Sequence, residues 1–410
     1  MSFSFPVHEM QKITVILGAI LAIFPSITYL TDLRYRINPA LERSVCQNFA
    51  CSDELLLDSA DRLAGNPQDK PIMLANLQEA LRRNVAAPDR WCDAGDAFLR
   101  LGRSEEAKYC FARAVELGPQ SPPVFWRTAQ FYARVQESRL SEEYLGKMLA
   151  LVPRYEELVF GLYLSDGRGV VDQFEYGIPR QSRLAQDYFR YILAHDKASE
   201  DVEKAWNWLQ SHSLADDKLA GEYVDFLLKK GEFSVAAETW KRSAGRHDDA
   251  YPNPNLVFNG SFESEPLQSG LDWRFSAVHG VQIGRDSAVA FSGSSSLLIA
   301  FDGESNIEFN SVAHDVVVPA GHYHFKAWVH TLGLTTDQGI GFRLTDASGR
   351  VNLQTTRLTG THDWTPIDLD FTLSGPVQLL RIEVVRQSSW KFDNKIAGKA
   401  WIDGVSLVKS

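Results

Sequence analysis

Residues 91–119 read WCDAGDAFLRLGRSEEAKYCFARAVELGP and residues 125–153 read FWRTAQFYARVQESRLSEEYLGKMLALVP, two stretches that repeat one pattern at an offset of 34 residues. In that register Trp91, Gly95, Phe98, Phe111 and Pro119 align with Phe125, Ala129, Tyr132, Leu145 and Pro153. The apolar spacing is helical within each copy, so the chain is expected to contain a repeating array of helices.

In the first copy Trp91, Ala94-Gly95 and Phe98 are followed by Ala107, Phe111, Ala114 and Pro119. This order resembles the tetratricopeptide repeat, with Ala94 where that family usually has Leu and Phe98 where it usually has Tyr. Further along, Gly231, Ala236 and Trp240 reproduce the spacing of Gly102, Ala107 and Phe111 and mark a degenerate copy. The glycine is expected to make the turn between helices, and the alanine to admit close packing. With DELLLDSADRLAG and PIMLANLQEALRR ahead of the clear copies, residues 52–245 are expected to form a tetratricopeptide-like α-solenoid. The stretch 164–182 breaks the period and reads as a long loop. The resemblance implies a concave groove that holds a protein partner, although such an array also serves as a rigid spacer. Phe125 and Tyr132 are core positions of the pattern, whereas Trp126 lies off its register.

Toward the N-terminus, residues 13–30 (ITVILGAILAIFPSITYL) carry no charge. As a helix they would extend about 27 Å, enough for a single transmembrane pass. The run ends without a small-x-small cleavage pattern, which favours an uncleaved anchor over a signal peptide. This divides the N-terminal part into a tail (1–12), a transmembrane helix (13–30) and a juxtamembrane linker (31–51). Lys12 precedes the span, and Arg34, Arg36 and Arg43 follow it, a charge balance that slightly favours a cytoplasmic body. Cys46 and Cys51 could close a small disulfide loop on the exported side, whereas Cys92 and Cys110 read as buried thiols on the two helices of one repeat.

Residues 246–254 form a polar, proline-containing linker, after which the pattern changes from helical to alternating. Short strands such as SSLLIAF, HYHFKAWVHT, PIDLDFTL and QLLRIEVVR, separated by Gly, Ser, Asn and Asp turns, predict an all-β sandwich over 255–410. Its opening, NLVFNGSFE (255–263), and its close, AWIDGVSL (400–407), resemble the first and last motifs of jelly-roll carbohydrate-binding modules, with LDW (271–273), SGS (292–294) and residues 323–329 in the expected order between them. The resemblance implies a glycan ligand. It also implies a fold in which Trp273, Trp364 and Trp401 are structural, and a body on the exported side of a bacterial inner membrane. The first and last strands of such a sandwich can pair, which would bring the carboxylates of Glu263 and Asp403 together at one edge. Many members of that family hold a structural calcium there, and hard oxygen ligands would suit it. Turn capping by each carboxylate is the other reading.

Strand alternation separates Tyr323, Phe325, Ala327 and Val329, a core set, from His322, His324, Lys326, Trp328 and His330. The second set joins an indole to hydrogen-bonding and charged groups, which is what a pyranose requires: its C–H face stacks on an aromatic ring while its hydroxyls pair with polar side chains. Arg343 and Thr345, Arg381 and Glu383 are candidate neighbours, and Trp390 a candidate second platform.

A net charge of −10 without any Lys/Arg-rich tract gives no basis for nucleic-acid binding. No GxSxG, HExxH, P-loop or paired-carboxylate constellation singles out a catalytic centre, and Glu383 beside Arg381 reads as a cross-strand ion pair rather than a general acid. The expected fold class is therefore multidomain α plus β, and the expected role a non-enzymatic, membrane-anchored scaffold of the bacterial cell envelope. Its repeats would hold a protein while its sandwich touches polysaccharide, in the assembly or export of an extracellular polymer. An adaptor whose sandwich no longer binds sugar is the other reading.

Overall fold

The computed structural model describes residues 26–27, 29–30, 52–63, 67–165, 168–195 and 199–410. It comprises two compact units, Met1–Ala185 and Gln186–Ser410.

In the first unit, helices α1 (Asp53–Leu63), α2 (Lys70–Arg83), α3 (Pro88–Arg100), α4 (Ser104–Leu117), α5 (Pro122–Arg134), α6 (Ser138–Leu151) and α7 (Glu156–Ser165) follow one another, with α1 packed on α2, α3 on α4 and α5 on α6. Pro88 and Pro122 open α3 and α5 at the position where a missing N–H costs nothing. Gly102, at φ +73°, makes the turn between α3 and α4. Gly95 lies so close to Phe111 that a Cβ there would stand 2.8 Å from the ring. Phe111 in turn stacks on Phe131, with ring centroids 4.7 Å apart. The aligned small and large positions of the sequence thus meet as a packing contact. Cys92 and Cys110 are buried, and burial pushes both thiols up to about 12.

Two expectations are corrected in this unit. The stretch 164–182 is not a plain loop: Val170–Asp172 forms a helical turn that widens into a π-helical turn at Gln173–Gly177. The Tyr163 hydroxyl donates to Gly177 O at 3.0 Å and holds that turn in place. The single-pass anchor in an inner membrane is also not supported. No helix among the described residues is long and apolar enough to cross a membrane. The longest, at 14 residues, extends about 21 Å against the ~30 Å of a bilayer core. Of the expected span only residues 26, 27, 29 and 30 are described, as helix, and the rest of it lies outside the described residues, as do Cys46 and Cys51.

The second unit takes in most of α8 (Ser182–Ala194), then α9 (Ser199–Ser211), α10 (Asp217–Lys230), α11 (Phe233–Arg242) and the sandwich. Asp216 caps α10 by accepting Leu219 N–H at 2.7 Å, and Gly231 ends it at φ +80°. Ten strands then form two antiparallel sheets: β1 (Arg274–Phe275), β2 (Val281–Asp286), β3 (Ser296–Asp302), β4 (Phe309–Val318), β5 (Gly321–Leu334), β6 (Gly341–Asp346), β7 (Asn352–Gln354), β8 (Gly360–Leu373), β9 (Gln378–Arg386) and β10 (Ala397–Lys409). One sheet runs β1-β4-β9-β6-β7 and the other β2-β3-β10-β5-β8. Tyr323, Phe325, Ala327 and Val329 meet Phe342, Leu344, Leu380, Ile382 and Val384 in the core between them. The opening motif pairs with the last strand, Asn255 bridging Val408 and Leu256 N–H donating to Leu407 O at 3.0 Å. The fold is thus α+β, with the β part a sandwich.

The helices of this unit are built onto the sandwich. Trp240 of α11 packs edge-on against Phe258, centroids 5.3 Å apart, and lies against Gly270, whose φ is +63°. Asp225 of α10 accepts from Gly270 N–H at 3.0 Å and from the guanidinium of Arg274. Within 246–254, Asp248 accepts from Asn259 N–H at 2.9 Å, and Tyr251 lies edge-on to Phe258.

Candidate functional site

Strand β5 carries the expected alternation: its core set is buried, and His322, His324, Lys326, Trp328 and His330 stand on the outer face of their sheet. Trp328 is not alone there. The β2–β3 loop brings Phe291 onto it in a near-parallel stack, centroids 4.0 Å apart and planes 16° from parallel. Trp364 of β8 meets Phe291 edge-on at 5.8 Å. His330 fits between Trp364 at 5.7 Å and Trp401 of β10 at 5.0 Å, with its Nδ1 buried and without a hydrogen-bond partner. The result is an aromatic strip running across three adjacent strands, β8, β5 and β10.

Polar groups border the strip. The Lys326 ammonium lies 4.7 Å above the Trp328 ring, and that of Lys399 lies 5.9 Å from Trp401. Neither has a carboxylate within ion-pair distance among the described residues. The indole N–H of Trp401 donates to Asp286 at 2.8 Å and, with Ala288 N–H, holds that carboxyl below the ordinary aspartate range. His324 pairs with Asp370 at 2.8 Å, and His322 with the Thr372 hydroxyl at 2.7 Å. Such a surface can stack on an apolar ring face and exchange hydrogen bonds along its margins.

Three of the expected neighbours are elsewhere. Arg343 belongs to β6, and Arg381 and Glu383 to β9, all in the other sheet, and their alternation with Leu344, Leu380 and Ile382 puts them on its outer side. The core of the sandwich separates them from Trp328. They are occupied as well. Arg381 holds Asp315 through two bonds of 2.8 and 2.9 Å, Arg274 reaches the same carboxylate at 3.0 Å, and Arg343 pairs with its cross-strand partner Glu383 at 2.8 Å. The two arginines hold the Asp315 carboxyl below its ordinary value despite its burial. Glu383 thus has an ion-pair partner, but it is Arg343 rather than Arg381.

Trp390 stands fully exposed, at 98%, on the β9–β10 loop beside an equally exposed Phe392. The foot of that loop is pinned: Ser389 N–H donates to Asn306, the Asn306 amide returns a bond to Ser389 O, and the Ser389 hydroxyl donates to Asp337 at 2.6 Å.

Glu263 and Asp403, the expected cation ligands, both reach the β2–β3 loop. Asp403 accepts from the N–H groups of Phe291 at 2.8 Å, Ser292 at 2.9 Å and Gly404 at 2.6 Å. Glu263 accepts from Ser294 N–H at 2.9 Å, from the Ser294 hydroxyl at 2.6 Å and from Ser295 N–H at 3.3 Å. Calcium requires six to eight oxygen ligands. Each carboxylate here accepts three hydrogen bonds, and among the described residues no group of three or more His, Cys, Asp or Glu is placed to hold a metal.

Two members of the strip escape a reading by motif. Trp364 and Trp401 lie in segments that define the fold and so look structural; Trp401, like Trp273, is buried, whereas Trp364 is partly exposed, and the Trp273 indole N–H donates to Asn259 O at 3.1 Å. Parity does place Trp401 outward, since Ala400 and Ile402 on either side are core. Phe291 has no such signal, because its position depends on a loop conformation.

No protein-family model and no curated protein sequence matches the chain. Among solved structures it is similar to a xylan-binding family 22 carbohydrate-binding module of Paenibacillus barcinonensis, at 16% identity and a TM-score of 0.28 over 37% of this chain and 91% of that one. It is also similar to a family 16 carbohydrate-binding module, at 20% identity and 0.26 over 38% and 100%. A family 4 module matches at 10% identity and 0.27 over 38% and 99%. Likenesses this distant do not decide what this chain binds.

Proposed function

We propose that the sandwich is a non-catalytic carbohydrate-binding domain whose ligand face is the outer side of the β5 sheet, and that the protein is a scaffold bringing a polysaccharide and a protein partner together. The observation that carries this reading is the Phe291–Trp328–Trp364 strip, apolar rings left half-exposed on a sheet face and flanked by ammonium, imidazole and carboxylate groups. An open strip of this kind suits a polymer lying across strands better than a small molecule enclosed in a cavity. Trp390, on its pinned loop, offers a further stacking surface.

A protein partner would find its place on the first unit, where Asp53, Arg90, Asp93, Asp96 and Arg127 form a chain of ion pairs between α1, α3 and α5.

The test is affinity electrophoresis of the full chain through gels containing neutral and acidic polysaccharides. Wild-type protein is expected to be retarded by at least one polymer, and Trp328→Ala to migrate through that gel as in a polymer-free one with its circular dichroism unchanged. Equal retardation of the two proteins on every polymer that slows the wild type would dispose of the assignment.

A further inference from the structure

The β2–β3 loop owes its course to two carboxylates. Four of its N–H groups, those of Phe291, Ser292, Ser294 and Ser295, point at Asp403 or Glu263. The glycines at the turn leave room for this. At Gly293, φ +67°, a Cβ would stand 2.2 Å from a Glu263 oxygen, and at Gly404, φ +56°, it would stand 3.1 Å from Trp328 Cδ1. Asp403 itself is completely buried, at the irregularity where β10 shifts its register against β5. One end of this arrangement is therefore rigid sheet and the other is the backbone that carries Phe291.

The Phe291 ring rests on Trp328 and Trp364. Phe291 is 41% exposed, and burial alone would not hold its ring on Trp328. Charge-assisted bonds from backbone N–H to carboxylate are among the stronger ones available to a loop, and two of them end on the single Asp403 oxygen that receives Phe291 and Ser292.

We infer that Asp403 and Glu263 are positioning residues for the ligand face: without any bound cation, they clamp the β2–β3 loop so that Phe291 stays stacked on Trp328 and extends the platform on which a sugar ring lies. The inference rests on the glycan reading for its purpose, but the clamp itself can be observed without any glycan. It replaces the metal-ligand role expected for this pair with one that uses the same lone pairs for N–H donors.

The experiment uses the full chain with Asp403→Asn, Phe291→Ala and the double variant. Glu263→Gln serves as a milder second variant should Asp403→Asn fold poorly. Acrylamide quenching of tryptophan emission, taken as the difference between each protein and its Trp328→Phe counterpart, reports on ring 328 alone. Asp403→Asn or Glu263→Gln is expected to raise the quenching of Trp328 to the level seen with Phe291→Ala. It is also expected to weaken retention by polysaccharide about threefold to tenfold, the worth of one aromatic pair. In the Phe291→Ala background the carboxylate variant should change neither readout further, whereas a general structural defect would add its own loss. Calcium and chelator should leave quenching and thermal midpoint unchanged. Unaltered quenching in both carboxylate variants, or a midpoint raised by calcium, would overturn the clamp. Absence of polysaccharide retention in the wild type with the quenching pattern intact would overturn only the glycan reading.

Discussion

His314 provides a sharp test of the sandwich core. Its ring is wholly buried, edge-on to Trp273 with centroids 4.9 Å apart, and its Nε2 lies 3.2 Å from Phe258 O, a contact that requires the proton on Nε2. Nδ1 is buried without a hydrogen-bond partner. Desolvation brings the imidazole down to about 4 from an ordinary 6.5. The folded state therefore resists protonation that the unfolded chain accepts, so stability is lost as pH falls through the window from 6.5 to about 4. Linkage sets the loss at about 2 kcal/mol at pH 5 and about 3 kcal/mol at pH 4. Asp272, next to Trp273 and also buried, is raised by desolvation to about 6. Its folded form binds a proton that the unfolded form does not, which returns about 1 kcal/mol at pH 5 and about 2 kcal/mol at pH 4. The two residues nearly cancel, and the wild-type sandwich should show a shallow pH profile between 7 and 4. His314→Phe keeps the edge-on ring and gives up one hydrogen bond, a loss of about 1 kcal/mol at every pH. It should be less stable than wild type at pH 7, equal to it between pH 6 and 5, and about 2 kcal/mol more stable at pH 4. Asp272→Asn should tilt the profile the other way. Urea unfolding at pH 7, 5 and 4, with the β-sheet transition followed by circular dichroism, gives the comparison. If wild type and His314→Phe change in parallel across that range, the linkage argument fails.

Two further outcomes follow from packing. Gly270→Ala combines an unfavourable φ of +63° with a Cβ placed 2.3 Å from the Trp240 ring and should lower stability by about 3 kcal/mol. Gly231→Ala, at φ +80° but with open space around it, should lose only about 1 kcal/mol; equal thermal shifts in the two variants would contradict a packing role for Gly270. Cys92 and Cys110, buried and raised to about 12, should resist a thiol reagent in the native protein at pH 8 and react at once in denaturant, and fast native labelling would show that this helical core opens readily.

Much of the fold was legible because it follows period. Helical spacing located α3 to α6, and alternation assigned both faces of β5 residue by residue. The Gly95–Phe111 contact was implicit in the aligned small and large positions. The site was legible only along one strand. Arg343, Arg381 and Glu383 have the right chemistry and the right parity, but alternation says which side of a strand a residue occupies and not which of two sheets the strand joins. That is decided by pairing across distant segments, here β9 between β4 and β6. Phe291 was out of reach for a similar reason. Its place depends on the bonds from Asp403, 112 residues further along the chain, and no local pattern records them.

The two outer faces of the sandwich differ in how much bonding capacity they leave unused. On the β9 sheet Asp315 is shared by Arg381 and Arg274, Glu383 is held by Arg343, and Arg274 also reaches Asp225 on α10. To bind there, a sugar hydroxyl would have to break an ion pair that is partly shielded from water, and breaking such a pair leaves an uncompensated charge. On the β5 sheet the rings of Phe291, Trp328 and Trp364 are partly exposed, while Lys326 and Lys399 lie over indoles rather than carboxylates. A ligand arriving there covers apolar surface and meets ammonium groups without dismantling anything. That asymmetry, more than any single residue, is the argument for proposing the β5 sheet as the ligand face, and under that proposal the loop that carries Phe291 is the element on which affinity should depend.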